Sequence, residues 1–131
     1  MKKVALIIVC LVLLVGCSKD DNLPPIEKFH LVNVSGGLAG VNKSFERGQI
    51  SWTFNEQNST LLVEKNTEET FSGLDEGSYS YFIQTSNKQL FLHIDNAEIG
   101  GITSSEKSIV IDENIRSIGS GADGFILLLE K

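Results

Sequence analysis

Cysteine is almost absent: the chain has two, Cys10 and Cys17, both within the first seventeen of its 131 residues. A disulfide framework, a thiolate zinc site and a cysteine nucleophile are therefore not expected in the rest of the chain. Histidine is as scarce. His30 and His93 have no other histidine or cysteine at ligand spacing, so no metal and no other cofactor is expected, and both imidazoles read as surface groups. Basic residues are outnumbered, 11 against 17 acids for a net charge of −6, which argues against nucleic acid as a partner. The only prolines are Pro24-Pro25, and past them no apolar stripe of helical period exceeds two turns. No Gly-x-Ser-x-Gly elbow is present, and no catalytic residue stands out; the chain is expected not to be an enzyme.

What is present begins with a leader. Met1-Lys2-Lys3 is positive, and Val4 to Val15 is an unbroken apolar run of twelve residues ending in Gly16-Cys17. Twelve residues span about 18 Å as a helix, short of the roughly 30 Å hydrocarbon core, so residues 1–16 read as a signal peptide rather than a membrane span. Losing Lys2 and Lys3 leaves 11 − 2 = 9 basic residues and a mature charge of 9 − 17 = −8.

Leu14-Val15-Gly16-Cys17 resembles the bacterial lipobox. The resemblance implies a diacylglycerol thioether on the Cys17 thiol, peptidase cleavage between Gly16 and Cys17, and acylation of the new amino group by a palmitate-type chain. At about 0.8 kcal/mol per buried methylene, two or three chains hold firmly where one does not. Ser18-Lys19-Asp20-Asp21 resembles the export signal of Bacteroidota surface lipoproteins, in which Lys19, Asp20 and Asp21 would direct transfer to the outer face. The implied partners are the membrane and the lipoprotein processing and export machinery; the implied location is the outer membrane, at the cell surface. Residues 17–25 then form a lipid-anchored tether. Its eight residues from Ser18 to Pro25 reach at most about 26 to 29 Å at 3.3 to 3.6 Å each.

From Ile26 to Lys131 the apolar pattern has period two. Phe29 and Leu31; Ile50, Trp52 and Phe54; Leu61 and Val63; Tyr79, Tyr81 and Ile83; Leu90, Leu92 and Ile94; Ile109 and Ile111; and Phe125, Leu127 and Leu129 each mark one face of a strand. A weaker strand is expected over 97–103. Turn residues punctuate the runs at Gly36-Gly37, Gly48, Asn87, Asp95-Asn96, Ser104-Ser105 and Gly119 to Gly124. About eight short antiparallel strands in sequence make an all-β meander that best removes its edges by closing into a barrel. Together with the opening Phe29-His30-Leu31-Val32-Asn33-Val34-Ser35-Gly36-Gly37, this resembles the lipocalin-like (calycin) domains of small bacterial lipoproteins. In that resemblance Phe29 stands where the family has the tryptophan that closes the barrel floor.

Large side chains occupy the inward layers and favour a filled barrel over one with a shallow cup at a mouth. Val32, Leu62, Phe82, Phe91, Val110, Ile126 and Leu128 fall out of phase and should point outward, where the 113–122 loop, the 23–26 segment or a protein must cover them. The leading expectation is a non-catalytic domain that binds a small apolar or amphipathic ligand, with Trp52, Tyr79 and Tyr81 as its aromatic contacts. The alternative is a structural or inhibitory protein-interaction lipoprotein using Phe82, Phe91, Ile126 and Leu128, and the third class is a cell-surface hydrolase. Gly119-Ser120-Gly121-Ala122-Asp123-Gly124 matches a phosphate-loop spacing but leads into a final strand, so it reads as a turn. Glu68-Glu69, Asp75-Glu76 and Asp112-Glu113 read as solvated turn acids. Thr103-Ser104-Ser105-Glu106 also marks a turn.

Overall fold

Alternation of apolar and polar residues produces nine strands in a computed structural model that describes residues 26–69 and 73–131. They are β1 (Ile26–Gly36), β2 (Val41–Ser44), β3 (Ile50–Asn55), β4 (Thr60–Lys65), β5 (Gly77–Ser86), β6 (Gln89–Ile94), β7 (Ala97–Ser104), β8 (Ser108–Asp112) and β9 (Phe125–Glu130). Gly16, Cys17, Lys19, Asp20 and Asp21 lie outside the described residues. Among the described residues there is no helix, and so none able to cross a membrane.

Every neighbouring pair is antiparallel, and β1 also pairs β9 from His30↔Glu130 to Gly36↔Phe125, which closes the sheet. The ninth strand does not widen the wall. Along one edge of β1, β2 pairs Asn33 to Gly36 and β3 pairs Ile26 to His30, with the Phe45 amide bonded to the Val32 carbonyl between them. β2 and β3 are thus one wall strand interrupted by residues 45–49, and the molecule is an eight-stranded, lipocalin-like barrel. Closure leaves no full-length strand edge unpaired. Among the described residues one core runs from Phe29 and Leu31 to Leu127 and Leu129 and joins all parts of the barrel wall.

Local chemistry sets the turns. Asn87-Lys88 and Asp95-Asn96 both hold φ near +50 to +70°, the left-handed pair of a two-residue hairpin whose twist matches the strands. Ser105 makes the β7–β8 turn, its hydroxyl accepting from the Lys107 and Ser108 amides.

Alternation holds wherever the ladders are regular and fails where they slip. The register shifts between Leu31 and Asn33, so Val34 turns inward and is buried. Phe45, in the interrupting loop, is buried as well. Ile83 and Leu90 keep the inward phase yet are 42% and 38% exposed, because β4 stops pairing β5 at Ser80 and the β5–β6 hairpin stands clear of the rim.

The far end of the barrel, opposite the start of β1, is closed by its connections. Leu74 packs on the core, and a methyl on Gly73 would run into Leu127 and stand 3.4 Å from the Trp52 ring. Residues 113–124 fold back over β7. Gly100 lies so close that a Cβ there would sit 2.7 Å from the Glu113 Cα, and Gly101 faces Ile115. In the same segment, Asn114 donates to the Gly124 carbonyl and accepts from its amide, while a Cβ on Gly121 would strike Asn114. Gly121 and Gly124 thus serve close packing of the two arms of a loop, with Gly119, in open space, and Asp123 in the left-handed region.

Candidate functional site

Among the described residues the N-terminal end carries only short turns, at 56–59, 87–88 and 105–107, and there the barrel opens into a cup of about 350 Å³. Its apolar wall includes Phe29, Phe54, Tyr81, Ile83, Ile102 and Ile109, and Phe82 reaches its edge. Three of these rings meet edge-on: Phe29 to Phe54 at 6.2 Å between centroids and Phe54 to Tyr81 at 5.2 Å. Polar groups gather at the rim, with carboxylates Glu27 and Glu56 and hydroxyls Ser59 and Ser104. Such a concave, mostly apolar site with few polar groups suits a small ligand.

Register explains each position. Glu27 and Phe29 share the inward phase of β1, and Phe29 faces Trp52 while Phe54 faces Leu61 across neighbouring strands. After His30↔Glu130 the next rung brings Lys131 beside Phe29. Its ammonium lies 2.7 Å from Glu27 Oε1 and 5.4 Å from the Phe29 ring centroid. Burial, followed by the charges of Glu56 and Glu27, raises the Tyr81 phenol above its ordinary value of 10.0.

Of the three aromatics expected at a ligand site, only Tyr81 reaches the cup. Trp52 is sealed in the core at 1% exposure, and Tyr79 turns to the closed end, where its hydroxyl donates to the Asp75 carbonyl at 2.8 Å. Phase alone does not say how deep an inward residue lies, and these two sit too deep or at the other end. Phe29, 2% exposed, belongs to the core and also forms part of the base of the cup. The interior is accordingly not filled throughout. One signal for the cup was in the sequence: Glu27 in phase with Phe29 and Leu31 places a charge on an inward face, which only a mouth tolerates.

The expected partner patch is broken up. Phe91 points outward but is buried at 3%, because Gly101 lies opposite it and carries Ile115 of the folded-back loop. Ile126 and Leu128 are half-buried in the outer wall, and Phe82, 45% exposed, stacks on His93 at 4.4 Å and 12°. His93 is not the surface imidazole expected, since its side chain is 11% exposed, 3.9 Å from Glu98. His30 is half-buried, and that burial, then Arg47 and Lys28, lowers its pKa from 6.5.

The His93–Glu98 corner also holds Ser117, whose hydroxyl and amide both donate to the Glu98 carboxylate and lower its pKa. The carboxylate stands between hydroxyl and imidazole. A nucleophilic serine needs the imidazole in that middle position to take its proton, so this arrangement pins the loop and activates nothing. The turn acids are likewise engaged: Glu69 pairs with Lys43, Asp75 lies 3.7 Å from Lys65, and Glu113 accepts from the Phe125 amide. Among the described residues no cluster could hold a metal ion. Compared with known proteins, the chain matches no family model, no curated protein and no solved structure.

Proposed function

We propose that the chain is an outer-membrane, surface-exposed lipoprotein, anchored through Cys17, whose barrel binds a small apolar or amphipathic ligand in the cup at its N-terminal end without chemically altering it. The observation that carries this reading is the 350 Å³ cup itself, walled by edge-packed rings at an end that no connection among the described residues covers. β1 enters at that same end. With a tether of at most about 29 Å the cup would open toward the bilayer, where amphiphiles are concentrated. The protein-interaction reading has less support, since Phe91 is covered and Ile126 and Leu128 are partly so. A hydrolase has no activated nucleophile among the described residues.

The test has two arms. Purified residues 18–131 should bind the neutral fluorophore N-phenyl-1-naphthylamine at one site, and Ile102→Trp, which fills the cup, should abolish binding while the domain stays folded. Binding that survives Ile102→Trp, or none in the parent, defeats the cup. Independently, Cys17→Ser should lose both palmitate label and envelope fractionation; a serine variant that keeps them defeats the anchor.

A further inference from the structure

We infer that the cup selects amphiphiles with a cationic ammonium head over those with an anionic head, and that Lys131 holds the head-group position until such a ligand displaces it. The inference rests on the cup being a ligand site. Both charged side chains in its wall, Glu27 and Glu56, are carboxylates, and among the described residues no lysine or arginine is part of that wall. An anionic head group would meet the carboxylate of Glu56 and a Glu27 already paired with Lys131, whereas an ammonium would meet Glu56 directly and Glu27 once Lys131 has moved aside. The whole chain, at −6, adds a field of the same sign that draws cations in.

Lys131 shows what the corner recognises. Its alkyl chain comes from the strand beside β1, and its ammonium is shared between Glu27 Oε1 at 2.7 Å and the Phe29 ring at 5.4 Å. A carboxylate to accept the N–H bonds and an aromatic face within about 6 Å are the two elements of an ammonium site. The same Phe29 ring and the same Glu27 line the cup, so a ligand whose tail lies against Phe54 and Ile109 would bring its head to this corner. The occupant is replaceable. Both partners of the pair are about 40% exposed, at 41% and 39%, and exposed pairs contribute little. Glu56 makes no hydrogen bond or ion pair among the described residues and offers a second carboxylate once Lys131 has moved aside.

Three probes with one tail separate the possibilities: decylammonium, decanol and decanoate, each titrated calorimetrically into residues 18–131 at pH 7, low salt and below micellar concentration. Decylammonium should bind about tenfold tighter than decanoate, the sum of one exposed ion pair and one cation–π contact, with decanol between them. Lys131→Met should tighten decylammonium a few-fold and leave decanol unchanged, because it removes a competitor for the head alone. Glu27→Gln should bring decylammonium part of the way down toward decanol, leaving the share held by Phe29 and Glu56, with its thermal midpoint measured to show a folded variant. Decanoate binding as tightly as decylammonium, or Lys131→Met leaving the amine unaffected, overturns the inference. If all three bind alike, the cup stands as a ligand site and the head-group selectivity falls; if none binds, both fall.

Discussion

The two ends of the barrel are made from the same strands and finished in opposite ways. At the far end Gly73 and Leu74, in the long connection between β4 and β5, lie on the core beside Trp52 and Leu127, and the long connection 113–124 crosses β7 over Gly100 and Gly101. At the N-terminal end the connections are turns at 56–59, 87–88 and 105–107, too short to reach across a mouth. Connection length therefore decides which end is core and which is site. Trp52 is packed all round at 1% exposure, whereas Tyr81, half-buried, stands in the wall of the cup.

The difference predicts a graded response to substitution. Trp52→Ala at the closed end removes a fully buried ring and should cost about 3 to 5 kcal/mol in denaturant unfolding. Gly100→Ala should cost about 1 to 3 kcal/mol, since its methyl meets backbone at Glu113 that cannot step aside. Gly119→Ala is its control, with open space but φ of +77°, and should lose only about 1 kcal/mol through backbone strain. Ile126→Asp, on the half-buried outer wall opposite Asp112, should cost about 1 kcal/mol and lower the melting temperature without changing solution mass. Ile83→Ser, on the exposed rim of the cup, should stay within about 0.5 kcal/mol. If Ile83→Ser destabilises as much as Trp52→Ala, the two ends are not different in kind.

Most of the wall was legible in the sequence because it obeys period two over regular ladders: Ile50, Trp52 and Phe54, Leu61 and Val63, and Leu127 and Leu129 all point where alternation puts them. Residues at irregularities were not. Val34 follows a register slip, Phe45 lies in a loop, and Ile102 stands beyond a second slip between β6 and β7, at Leu92 and His93. Each slip flips the phase, and no local composition announces it. The cup was harder to see, because it depends on where strands end relative to one another. Trp52 and Tyr81 carry the same inward signal; only the stagger of β4 against β5 makes one a core residue and the other a wall.

The two tyrosines sharpen the comparison by titration. Tyr81, in the cup wall, is held above pKa 10.0 by burial and by Glu56 and Glu27. A phenol whose folded-state value exceeds its unfolded value binds its proton more tightly when folded. Its contribution to stability is full below pH 10.0 and is lost as pH rises through the higher folded value. In a Tyr79→Phe background, which leaves Tyr81 as the sole tyrosine, near-ultraviolet absorbance should show a midpoint above 10.0, and Glu56→Gln should move it downward. A midpoint at or below 10.0 would mean that the phenol is solvated and free of both carboxylates, and the cup would lose its polar rim as well as its wall.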